Sequence, residues 1–255
     1  MSTWILLRGL SREARHWGDF PALFMREIPG SRVVALDLPG NGRFQAMSSP
    51  ASIDRMVSHC RAELARQPMP PPYCLLALSM GAMVATCWAQ RHPAEIDRTV
   101  LVNTSFGNFH SPLRRLRIRA WPLLLRIALA REAQRKEALI FSITSRQPAM
   151  PSLLLQDWLD IRRSNPVSVA NTVKQLIAAA RFRAPAACAP TPTLLLGSEG
   201  DQLVDAHCTR DIARRWNCPA ALHPHAGHDL PLDDALWVAA RIRDWLAARA
   251  TRPKL

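Results

Sequence analysis

At 255 residues, with 48% hydrophobic side chains, the chain is long enough to fill the core of one α/β domain carrying an insertion. Its formal net charge of +13 comes from 33 basic residues, of which only Lys136, Lys174 and Lys254 are lysines. With a single tyrosine and no recognition motif, the charge reads as an arginine-rich composition and argues against nucleic-acid binding.

The first expected strand, 3–8, runs Thr3-Trp4-Ile5-Leu6-Leu7-Arg8 and ends in the turn Arg8-Gly9-Leu10. Arg8 interrupts the apolar run and Arg12, Glu13 and Arg15 follow it, which is neither a signal peptide nor a membrane span and predicts a cytoplasmic protein. A second strand, 32–38, leads into the glycine-rich turn Asp37-Leu38-Pro39-Gly40-Asn41-Gly42-Arg43, and a helix is expected over 50–67. Pro68, Pro70, Pro71 and Pro72 then form a stiff connection into a third strand, 73–78. That strand runs directly into Ala77-Leu78-Ser79-Met80-Gly81 and a helix over 81–92. Small residues two positions either side of a serine are what a sharp strand-to-helix turn requires, because a larger Cβ would strike the neighbouring backbone.

Further strands are expected at 98–103, 191–197 and 220–225, with helices at 207–216 and 233–249. Each strand is a continuous aliphatic run, as burial on both faces demands, so the alternation predicts about six mostly parallel strands with helices on both faces. An opening antiparallel hairpin is not expected. Six cysteines, Cys60, Cys74, Cys87, Cys188, Cys208 and Cys218, show no C-x-x-C pair and read as reduced structural thiols. No His, Cys, Asp and Glu grouping has metal-ligand spacing, so neither metal nor cofactor is expected.

The stretch between the fourth and fifth strands is too long for a simple crossover and reads as an inserted helical cap, giving a core of 1–106 and 190–255 and a cap of 107–189. Pro112 to Gln147 is expected to be helical and amphipathic. Leu113, Leu116, Ile118, Trp121, Leu123 and their neighbours would turn to the cleft, and nine basic residues against Glu132 and Glu137 would turn to water.

After the serine come three acidic candidates on one loop, Glu199, Asp201 and Asp205, and then His223, His225 and His228. Ser79 needs a general base, and the base needs an anion to fix its tautomer. His228 occupies the loop after the last strand, whereas His223 and His225 lie in or beside it. The chain order Ser, acid, His is that of α/β-hydrolases.

At this point the segments DLPGNGR, LALSMGA and AGHDLPLD resemble the α/β-hydrolase superfamily, and within it the small serine carboxylesterases of the pimeloyl-acyl-carrier-protein methyl ester esterase kind. The resemblance covers roughly 3–106 and 190–248. It implies the α/β-hydrolase fold and a Ser79, Asp201 and His228 triad, since Gly-Asp followed by Leu203-Val204 is the family's form. It also implies an oxyanion hole from the main-chain N–H groups of Leu10 and Met80. Arg8-Gly9 stands where the family usually has His-Gly. Arg8 is therefore either a salt bridge that holds the loop or a contact to a substrate carboxylate.

Ser79 excludes the aspartate-nucleophile members of the fold, and a cap without tyrosine excludes epoxide-ring activation. The expected activity is hydrolysis of a carboxylic ester through an acyl-enzyme, on a small acyl ester. The alternatives are a thioesterase or acyl-transfer enzyme using an acyl-carrier-protein-linked substrate, and a noncatalytic binding scaffold. Arg8, Trp121, Arg114, Arg115, Arg117 and Arg119 are the candidate substrate- or partner-binding residues, with an acyl carrier protein or an anionic membrane surface as the partner of the basic cap.

Overall fold

Six parallel strands in the order β2-β1-β3-β4-β5-β6 form a single sheet in the computed structural model, which describes residues 1–250. They are β1 (Ser2–Leu7), β2 (Ser31–Leu36), β3 (Tyr73–Leu78), β4 (Ile96–Val102), β5 (Thr193–Ser198) and β6 (Ala220–His223). All six residues of β3 are buried, because helices cover both faces of the sheet.

Strand residues separate by the two-residue period. Trp4, Leu6, Cys74 and Leu76 pack on one face with Phe20 and Phe24 of α1 (Phe20–Glu27) and with Val238, Ile242 and Trp245 of α11 (Ala235–Ala250). Ile5, Leu7, Leu75 and Ala77 point to the other face. There they meet Met56, Val57 and Cys60 of α2 (Ile53–Ala65), Val84 and Trp88 of α3 (Met80–Arg91), and Ile212 and Trp216 of α9 (His207–Trp216).

The chain moves from β1 outward to β2 and then returns across β1 to β3, so the direction of winding reverses between β1 and β3. At such a switch point the loops leaving the carboxyl ends diverge and open a crevice. The loop after β1 begins at Arg8 and the residue after β3 is Ser79, so both candidate elements start at that crevice.

Between β4 and β5 lie α4 (Pro112–Arg115), α5 (Trp121–Leu129), α6 (Ala133–Thr144), α7 (Ser152–Ser164) and α8 (Val169–Arg181). The expected helix over Pro112 to Gln147 is thus three helices. Backbone extends at Leu116 and again at Ala130. Pro122 has no N–H to offer the carbonyl of Ile118, so a helix cannot run through that turn. A second correction concerns α1, which the sequence reading left out: it is eight residues long and has a proline in its first turn. The short α10 (Leu230–Asp233) completes the set. No helix among the described residues is long and apolar enough to cross a membrane.

Candidate active site at the carboxyl edge of the sheet

Ser79 sits between β3 and α3 with φ 56° and ψ −118°, a conformation rare for a residue with a side chain. Its N–H is held by the carbonyl of Val102 at 2.9 Å, and its carbonyl accepts from Thr104 Oγ1 at 3.0 Å. The small neighbours are required. A Cβ on Gly81 would come within 2.5 Å of the Leu7 carbonyl oxygen and 2.6 Å of that of Arg8. A Cβ on Gly9 would lie 3.1 Å from Ser79 Cβ and 3.6 Å from Ser79 Oγ, so the Arg8-Gly9-Leu10 loop packs directly on the serine. Met80 opens α3, and its N–H therefore has no intrahelical acceptor, as at any helix start.

Asp201 and His228 are brought together. His228 Nδ1 and Asp201 Oδ2 are 2.7 Å apart, and both residues are buried. A carboxylate can only accept, so Nδ1 carries the proton and Nε2 is the nitrogen left for a reacting partner. The other oxygen of Asp201 accepts from the N–H groups of Leu203 at 2.7 Å and Val204 at 3.0 Å, which fixes the carboxylate. Burial opposes the imidazolium, but Asp201, by charge and hydrogen bond, outweighs it, and the pKa of His228 is raised above 6.5.

The competing candidates are occupied elsewhere. Glu199 pairs with Arg210, Asp205 binds His207, and His223 bonds Asp234 at 3.2 Å while accepting from the N–H of Ala226. All six cysteines are free thiols, and burial pushes Cys60, Cys74, Cys208 and Cys218 up to about 12, so they carry no thiolate at neutral pH.

Arg8 is buried and grips Asp229, the neighbour of His228, through two hydrogen bonds of 3.0 and 2.5 Å, with its guanidinium 4.8 Å from the Trp17 ring. It thus joins the loop after β1 to the histidine loop. Among the arginines singled out in the sequence, Arg114 faces Asp211 at 3.5 Å, and Arg115 donates to the Ala179 carbonyl at 2.6 Å. Arg117 donates to the main-chain oxygen of Asp201 at 2.9 Å, whereas Arg119 is exposed. Trp121, expected over the cleft, is exposed; in α5 it lies with Leu125 and Leu129 on an outward apolar side, while Leu123, Leu124 and Ile127 are half-buried on the other.

Several residues that the sequence reading passed over hold the site. Asn103 donates from Nδ2 to the carbonyl of His228 at 2.9 Å and to Ser198 Oγ at 2.9 Å, joining the ends of β4 and β5 to the histidine loop. The loop after β1 is held from the helical insert, because Gln175 of α8 accepts from the N–H of Ser11 at 2.9 Å and donates to Asn41 at 2.8 Å. Asn41 in turn donates to the carbonyl of Arg12 at 3.0 Å. Glu137 of α6 lies buried between Arg12 and Arg162. His16, stacked edgewise on Trp158, is kept neutral: burial first, then Arg12 and Arg8, hold its pKa well below 6.5. These partners are separated by 25 to 164 residues, and no local pattern announces them.

The carboxyl edge of the sheet thus carries a serine on a strained turn with a glycine loop against it, and a histidine paired with a buried carboxylate. The family model described as Alpha/beta hydrolase family matches residues 4–241, and the chain belongs to that family. The pimeloyl-[acyl-carrier protein] methyl ester esterase of Chromobacterium violaceum is 27% identical over 237 residues, covering 89% of this chain and 80% of the relative. Among solved structures, the enol-lactonase from Burkholderia xenovorans LB400 superposes with a TM-score of 0.75 at 17% identity, covering 96% of this chain and 91% of the other. A thermophilic esterase from Thermogutta terrifontis gives 0.73 at 20% identity, covering 97% and 90%. With esterases among its relatives, a hydrolytic role is supported for this chain.

Proposed function

We propose that the protein is a serine carboxylic ester hydrolase with Ser79 as nucleophile, His228 as general base and Asp201 as its orienting anion. The observation that carries this reading is the 2.7 Å pairing of His228 Nδ1 with a carboxylate that is itself held by two N–H groups. Ser79 Oγ attacks the ester carbonyl carbon while its proton passes to Nε2 of His228. The oxyanion is received by the N–H groups of Met80 and Leu10, and such a donor is worth about 3 kcal/mol in the transition state. The imidazolium then protonates the leaving alcohol, and a water activated by the same nitrogen hydrolyses the acyl-enzyme. The helices between β4 and β5 serve as the cap, spanning about residues 107–189, over a small acyl ester. Six free thiols fit a reducing, cytoplasmic setting.

A second reading, an acyl-carrier-protein-linked ester or thioester as substrate, is favoured by the name of the Chromobacterium violaceum relative. A fluorophosphonate probe and p-nitrophenyl esters of graded acyl length test the proposal together. Wild type is expected to be labelled and to turn over the esters, and Ser79→Ala to lose both while keeping its fold. Turnover by Ser79→Ala near the wild-type rate would remove the serine from its role, and absence of labelling in wild type would favour a binding scaffold.

A further inference from the structure

The segment that leads through α5 exposes what a helix ordinarily buries. Ile118, in the turn before the helix, and Trp121, Leu125 and Leu129 follow one another at spacings of three, four and four residues, which sets them along one side. They are 65, 55, 60 and 70% exposed. Seven of the nine residues of α5, WPLLLRIAL, are large or small apolar side chains other than proline, and none is buried. A ridge of this kind in water calls for a covering.

The charge around the ridge indicates which covering. From Arg98 to Arg131 there is no acidic residue, while Arg114, Arg115, Arg117, Arg119, Arg126 and Arg131 fall between positions 114 and 131. Arg115 and Arg117 are used internally, and Arg114 faces Asp211. Arg119, Arg126 and Arg131 are exposed, with no ion-pair partner among the described residues. Three unpaired cations therefore flank an apolar ridge.

We propose that this face of α5 docks on an anionic lipid surface, with the ridge entering the boundary between headgroups and acyl chains and the three arginines against lipid phosphates. A second copy of the chain would bring like charges together. An acidic protein would answer the charge, but it would need a groove matched to a convex ridge, whereas a fluid lipid interface deforms around one. At 1.5 Å per residue the nine-residue helix is about 14 Å long, so it lies in the interface and cannot cross a hydrocarbon core of about 30 Å. The inference does not rest on the esterase reading, because it concerns binding and is tested without turnover.

The test is co-sedimentation of the full chain with phosphatidylcholine vesicles, either pure or containing roughly one-third phosphatidylglycerol, at roughly 0.1 M salt. Wild type is expected to bind the anionic vesicles well above the neutral ones. Arg119→Gln, Arg126→Gln and Arg131→Gln combined should weaken that binding about 100-fold, at about a factor of five per charge. Trp121→Ser with Leu125→Ser should weaken it at least about tenfold through the lost apolar burial. These side chains are exposed, and circular dichroism checks that the variants fold; if the serine pair does not, the arginine triple decides alone. Equal binding to both vesicle types, no binding to either, or binding unchanged in the arginine triple would overturn the proposal, as would capture of an acidic carrier protein by a chain that ignores vesicles.

Discussion

The two halves of the insert between β4 and β5 stand in opposite relations to the core, and the most apolar helix, α5, is the least covered. In α6 to α8, polar side chains reach the core and are buried there. Glu137 meets Arg12 and Arg162, Gln175 meets Ser11 and Asn41, and Asn171 takes the N–H of Ser49 at 2.9 Å while donating to the Met47 carbonyl at 3.0 Å. The α4–α5 half is tied at its root by Arg115 and Arg117, and beyond that α5 only half-buries Leu123, Leu124 and Ile127 and fully buries no side chain. Apolar content alone does not decide which helix is covered. Directional polar contacts with the core mark the half that is seated, because a buried donor or acceptor without its partner costs about 1–3 kcal/mol and so enforces one register.

Four measurements test this contrast, beginning with the acid–base pair that both halves flank. Asp201→Asn should lower kcat by about 10²–10⁴ with the fold retained. It should also move the activity limb. Asp201 raises the His228 pKa against burial, and the base works when neutral, so wild-type activity climbs as pH passes upward through a midpoint above 6.5. In the variant the main contribution opposing burial is gone and the midpoint falls. A kcat/KM profile from about pH 5 to 9 reads the shift, and an unmoved limb would assign it to another group. The same sign applies to stability: the contribution from the raised His228 pKa is complete below the unfolded value and is lost as pH rises through the folded one.

Breaking the seated half comes next. Glu137→Ala leaves Arg12 and Arg162 without their shared carboxylate and should cost about 3 kcal/mol in urea unfolding. A loss under about 0.5 kcal/mol, the level of an ordinary surface change, would mean that this half is not seated by its ion pairs. Gln175→Ala should lower kcat about tenfold with little change in KM, since it loosens the loop bearing the Leu10 N–H without removing that donor. Gln175→Glu keeps the acceptor for Ser11 and should recover part of the loss. The smallest effect belongs to the other half, where Leu125→Ser should leave stability within about 0.5 kcal/mol of wild type. A larger loss would show that α5 is packed in solution and would erase the contrast.

The sheet was legible because two-sided burial leaves unbroken aliphatic runs, and β3 and β5 sit within two residues of their expected places. Ser79 and His228 could be singled out as candidates because the roles proposed for them require a particular loop and a particular chain order. Asp201 needed the family likeness, since Glu199 and Asp205 lie on the same loop and are separated from it by their contacts in space. The short α1 and the breaks at Leu116 and Ala130 were not legible. A proline in the first turn hides a brief helix, and continuous alternation of arginine and leucine conceals where the backbone extends. The Arg8–Asp229 pair joins residues 221 positions apart, and no window of sequence contains both.

The insert touches three of the four segments that carry candidate residues. Arg117 holds the Asp201 carbonyl and its N–H bonds Leu203, the carbonyl of Thr144 accepts from the N–H of Asp229, and Gln175 holds Ser11. These contacts join residues 84 to 164 positions apart along the chain, closures that a folding chain completes after its local ones. The helices, whose hydrogen bonds are local, can therefore form before the loops are aligned. During refolding, far-ultraviolet circular dichroism should return first and hydrolytic competence last, on the timescale at which the insert settles.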